Sequence, residues 1–121
     1  MRDEPRSSGS EGKVPMDLRK VPRIRVHFRS FFADGQIDGE GTVMDLSTKG
    51  CKIDSTTTVQ PITELEVWFF LPDHDRPMKV QLAEVRWTRG RAFGLEFLSM
   101  RSEDRERLGR VLEDQEIGPR A

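Results

Sequence analysis

Residues 23–54 read RIRVHFRSFFADGQIDGEGTVMDLSTKGCKID, and the parity of their apolar positions decides the fold. Ile24, Val26 and Phe28 alternate with Arg25, His27 and Arg29, the period of two expected of a half-buried strand. Asp34-Gly35 supplies a hairpin turn. A second strand then runs from about Ile37 to Leu46, and after a turn at Ser47 to Gly50 the chain re-enters as Cys51-Lys52-Ile53, again alternating.

The same reading extends downstream. Thr56 to Thr63 is a threonine-rich connection containing Pro61, and Glu64 to Leu71 is a strand with Leu65, Val67, Phe69 and Leu71 on one face and Trp68 and Phe70 on the other. That strand is expected to be covered on both faces near its end. After a Pro72 to Pro77 loop, Met78 to Thr88 is a long strand whose apolar parity slips between Leu82 and Ala83, as a bulge or a shared edge would cause. Arg89-Gly90-Arg91 turns the chain into Ala92 to Leu98, where Gly94 implies a close backbone approach. Ser102 reads as the N-cap of a helix over about Glu103 to Gln115, with Leu108, Val111 and Leu112 at helical spacing and Gly118-Pro119 as the stop. Six short strands and one terminal helix predict an all-β fold, a six-stranded antiparallel barrel with the helix packed alongside. The expected plan is a flexible tail over 1–17, one domain over 18–115 with the barrel at 23–98 and the helix at 103–115, and a short tail over 116–121.

At 121 residues the chain holds one modest core. Its 20 lysines and arginines nearly balance its 21 aspartates and glutamates, so no global field draws it to a nucleic-acid polymer or an anionic membrane. The positive charge is local: Arg19, Lys20, Arg23, Arg25 and Arg29 fall between Met16 and Ser30, against Asp17 alone. The lone Cys51 builds no disulfide within the chain, which fits a reducing cytosol. The first thirteen residues lack the apolar run of a secretory signal, and no stretch approaches the roughly 20 apolar residues of a membrane helix. His27, His74 and Cys51 sit on separate elements without metal-ligand spacing, and Asp73, His74 and Asp75 are consecutive loop residues without a nucleophile beside them. No metal, cofactor or enzymatic activity is expected.

Two clusters carry chemistry. Arg19-Lys20-Val21-Pro22-Arg23 holds two guanidinium groups on a lead-in that Pro22 keeps extended, four residues or roughly 13 Å apart on one face. A guanidinium grips two phosphate oxygens, or the O6 and N7 of guanine, with paired hydrogen bonds. In Asp45-Leu46-Ser47-Thr48-Lys49-Gly50, strand geometry aligns Asp45 with Ser47 and turns Met44 and Leu46 the other way. A carboxylate accepts from guanine N1 and N2, a hydroxyl both donates and accepts, and Gly50 can take positive φ where the chain reverses. Taken alone, the arginines also fit a solvated face and the second cluster an ordinary serine turn.

Together the clusters resemble the RxxxR and [D/N]xSxxG signatures of the PilZ domain, and the resemblance runs from Leu18 to Glu113 with Trp87, Gly94-Leu95-Glu96-Phe97 and the final helix included. It implies a PilZ-like split barrel that binds cyclic di-GMP. On that resemblance Arg19 and Arg23 grip phosphate and guanine edges, and Asp45, Ser47 and Gly50 form the barrel-side guanine site. Further contacts would come from Leu18, from Lys20 and from Trp87, whose ring would lie under a guanine if it is not a core aromatic. Whether one ligand or an intercalated pair binds stays open at Leu18. The implied partner is an effector protein in motility, attachment or polysaccharide export. The rival readings are a nucleotide-independent PilZ-like adaptor and a small barrel for RNA or single-stranded DNA using Arg19 to Arg29.

Overall fold

The computed structural model describes residues 22–72 and 76–117. The expected N-terminal tail, with Leu18, Arg19 and Lys20, lies outside the described residues, as do Asp73 to Asp75 and the last four residues. Six strands follow in order: β1 (Ile24–Ala33), β2 (Asp38–Leu46), β3 (Gly50–Asp54), β4 (Glu64–Phe70), β5 (Met78–Arg89) and β6 (Ala92–Ser99), then helix α1 (Ser102–Ile117). They close into an antiparallel barrel in the order β1-β2-β3-β6-β5-β4, with β4 pairing back onto β1.

Alternation explains the interior. Phe28, Phe32, Val43, Leu46, Ile53, Val67, Phe69, Val80, Val85, Phe93 and Leu95 all point inward and are buried. Their rings pack edge to face, Phe28 on Phe69 at 5.8 Å and Phe32 on Phe93 at 5.2 Å between centroids, the geometry favoured by the aromatic quadrupole. Helix α1 adds Leu108 and Leu112 to this core, and Arg107 ties it to the approach to β5 by donating to the carbonyls of Arg76 and Pro77. At the β1–β2 hairpin Gly35 takes φ 93°, and Asp34 accepts the amides of Gln36 and Ile37, which holds its carboxyl below the ordinary range.

Several expectations change in detail. The register slip foreseen at Leu82/Ala83 is present opposite β6, and a second slip follows at Val85/Trp87. A bulge between Val43 and Asp45 also shifts β2 against β3. Met44 is therefore exposed although Leu46 beside it is buried, so the two do not share a face. Strand β4 is not covered on both sides, since Phe70 stays exposed outside the barrel. At the helix start the Arg105 amide bonds to the carbonyl of Arg101, so Arg101 holds the N-cap position and Ser102 is the first helical residue.

Candidate ligand-binding face

Register brings the second cluster and the downstream aromatic into one row. Arg25 pairs with Asp45, Asp45 with Lys52, Lys52 with Gly94, and Gly94 with Trp87, running across β1, β2, β3, β6 and β5. The adjacent row of Leu46, Cys51, Leu95 and Val85 is wholly buried, so the Asp45 row faces out. Three strand spacings, about 14 Å, separate Asp45 from Trp87.

Arg23, just before β1, donates from Nη1 to Asp45 Oδ1 at 2.5 Å, and the arginine side chain is 54% exposed. The later arginine of the first cluster thus meets the carboxylate of the second across 22 residues of sequence. Arg25 and Lys52 hold the positions paired with Asp45 on the two neighbouring strands, so the row on either side of the carboxylate is cationic. Neither Arg25 nor Lys52 was singled out by motif. The signal for Lys52 was its outward place between inward Cys51 and Ile53.

Ser47 is buried rather than displayed beside Asp45. Its Oγ accepts the amides of Lys49 at 3.0 Å and Gly50 at 3.1 Å, and its hydroxyl donates to the Gly50 carbonyl at 3.3 Å. The hydroxyl therefore closes the β2–β3 turn. Gly50 does not use positive φ, which among the described glycines belongs to Gly35 and Gly90. Its requirement is spatial, because a Cβ there would collide with the Leu95 carbonyl oxygen of β6. The second cluster is thus a tightly seated turn that fixes Asp45 on one side and Lys52 on the other.

Trp87 is not a core aromatic. The slip at Val85/Trp87 turns it outward, 41% exposed, with its indole against Gly94, where any Cβ would strike the ring. The close approach foreseen at Gly94 is therefore made by an indole and not by another backbone. Below this row Cys51 is buried, and loss of solvation, with the Asp45 charge second, pushes its thiol well above the ordinary value. It has no thiolate character for nucleophilic chemistry near neutrality. Among the described residues no group of His, Cys, Asp and Glu is placed to hold a metal ion, and no helix is long and apolar enough to cross a membrane.

A closed barrel with a cationic ledge and a seated surface indole defines a binding module. Residues 17–114 match the PilZ domain, and the chain belongs to that family of binding and adaptor domains, a family of cyclic di-GMP receptors. Among solved structures it is similar to the Bacillus subtilis inhibitor of motility MotI/DgrA, with TM-score 0.72 and 15% identity over 85% of this chain and 53% of that one. It spans about half the length of that protein. It is also similar to the PilZ domain of CeSA from a cellulose-synthesizing bacterium, with TM-score 0.62 and 16% identity over 78% of this chain and 98% of that one. An uncharacterized Legionella protein aligns with TM-score 0.55 and 17% identity, covering 82% and 98%. No curated protein matches the chain.

Proposed function

We propose that the chain is a cytoplasmic cyclic di-GMP receptor whose Arg19 and Arg23 strap and Asp45 ledge hold the same ligand, and that a partner protein reads the resulting change of surface. The observation that carries this reading is the Arg23–Asp45 ion pair at the head of a row that ends in an exposed indole.

An exposed ion pair contributes only about 0.2 to 1 kcal/mol, so a ligand can replace it at little cost. Asp45 then accepts from guanine N1 and N2, while Arg23 turns to the O6 and N7 edge or to a phosphate. Arg25 and Lys52 add positive charge for the phosphates, and the free face of Trp87 offers stacking worth about 1 to 3 kcal/mol per base. Ser47 and Gly50 serve the site through the turn they hold. Arg19 enters on its motif position, with Leu18 and Lys20 beside it. An affinity in the micromolar range, near −8 kcal/mol, fits contacts of this number and exposure.

The names of the two structural neighbours, an inhibitor of motility and a domain of CeSA, support control of motility, adhesion or exopolysaccharide as the output. Calorimetric titration tests the ligand. Binding of cyclic di-GMP in the micromolar range, at least tenfold weaker for cyclic di-AMP and for the Asp45→Ala chain, is expected. No heat from cyclic di-GMP at tens of micromolar would favour the nucleotide-independent adaptor. Affinity that rises with the length of single-stranded RNA or DNA and falls steeply with salt would favour a nucleic-acid barrel.

A further inference from the structure

A second outer row crosses the barrel away from the Asp45 ledge. Glu40 on β2 pairs with Phe31 on β1, Phe31 with Trp68 on β4, and Trp68 with Lys79 on β5. The sequence along the row is acid, aromatic, aromatic, base. Phe31 and Trp68 contact at 5.5 Å between centroids, and nearby Arg29 lies 5.5 Å from the ring of exposed Phe70. Three aromatic side chains therefore stand outside the core on adjoining strands. Their cations are held by weak contacts at home: Lys79 sits 3.7 Å from Glu66 and 5.0 Å from the centre of the Trp68 ring, and Arg29 3.7 Å from Glu40. Such exposed, long pairs exchange partners at little cost.

We propose that this face is where a second copy of the chain docks. With two cations and two carboxylates the patch is neutral, so it offers no net attraction to a polyanion or to a strongly charged protein. What it does match is itself. A two-fold axis lying in the interface, parallel to the strands and passing between Phe31 and Trp68, sets two such rows face to face in opposite order. Glu40 of one copy then faces Lys79 of the other, Trp68 faces Phe31, and Arg29 faces the Phe70 ring. The row spans three strand spacings, about 14 Å, a patch at the small end of specific interfaces, so the association is weak and concentration-dependent. It leaves the Trp87 row free and does not depend on cyclic di-GMP binding.

Sedimentation velocity of the full chain from about 10 µM to 1 mM, without ligand, tests the idea. Wild type should move from monomer to dimer across that range. Glu40→Lys and Lys79→Glu each place like charges across the axis and should weaken dimerization at least tenfold, with melting curves close to wild type because the positions are on the surface. In a one-to-one mixture of the two variants, the all-basic row of the first faces the all-acidic row of the second. Opposite charges then meet at both ends, and wild-type association should return as a heterodimer. A wild-type chain that stays monomeric at 1 mM, or a mixture that stays as monomeric as its components, overturns the proposal.

Discussion

Trp87 and Trp68 are the chain's two tryptophans, both stand outside the barrel, and their surroundings differ in kind. Trp68 is half-buried beside Phe31, with the Lys79 ammonium 5.0 Å from its ring. Trp87 rests on the backbone of Gly94 and keeps 41% of its surface in solvent. A ring beneath a cation already has its electrostatic partner. A ring lying on a glycine is held in place by shape and leaves a π-face free. The contrast separates an aromatic suited to a stacked base from one suited to a packed neighbour. It also shows why the Trp87 side needs a stiff support, which the Ser47–Gly50 turn and its seat on β6 supply.

The contrast breaks most severely at Gly50. Alanine there presses a Cβ onto the Leu95 carbonyl, a backbone atom that cannot swing aside, so urea denaturation should show a loss of about 2 to 3 kcal/mol. A loss under about 0.5 kcal/mol, within the range of ordinary surface changes, would mean that β3 and β6 do not need this close approach. Gly94 gives the milder counterpart, because the obstacle is the movable Trp87 indole. Gly94→Ala and Trp87→Ala should each weaken cyclic di-GMP binding by about 1 to 3 kcal/mol of lost stacking, with little change in melting. Trp68→Ala should leave that affinity unchanged, and an equal effect of both tryptophans would erase the distinction between the faces. Smallest in stability is Arg23→Ala, which should alter folding by less than about 0.5 kcal/mol yet weaken the ligand about tenfold, or 1.4 kcal/mol. Unchanged affinity in that variant would remove Arg23 from the site.

Much of the barrel was legible because each strand repeats a period of two, and even the slip at Leu82/Ala83 appears as two apolar residues in succession where alternation requires one. Slips elsewhere in the barrel were not legible, and two of them shape its outer surface. At Val43/Asp45 and Val85/Trp87 the chain gains a residue so that neighbouring strands stay paired around a closed barrel, a demand set by partners distant in sequence. Those two slips expose Met44 and turn Trp87 outward. Ser47 and Gly50 were visible as a motif, but their physical roles depend on burial and on β6 lying directly against the turn. Nor does any local signal give Ile62 its φ of 70°, since a β-branched residue is disfavoured there. That backbone is held by bonds from the Ile62 amide to the Val85 carbonyl and from the Val85 amide to the Thr63 carbonyl.

The two indole N–H signals in a nitrogen-15 correlation spectrum offer the most direct measurement, because each reports on one face. Titrated with cyclic di-GMP at a protein concentration low enough to exclude self-association, the Trp87 indole should shift together with the amides of Asp45, Lys52 and Gly94, while the Trp68 indole stays in place. Saturable shifts at Trp68 and Phe31 that leave Trp87 and Asp45 unmoved would contradict a ligand held between the arginine strap and the Asp45 ledge.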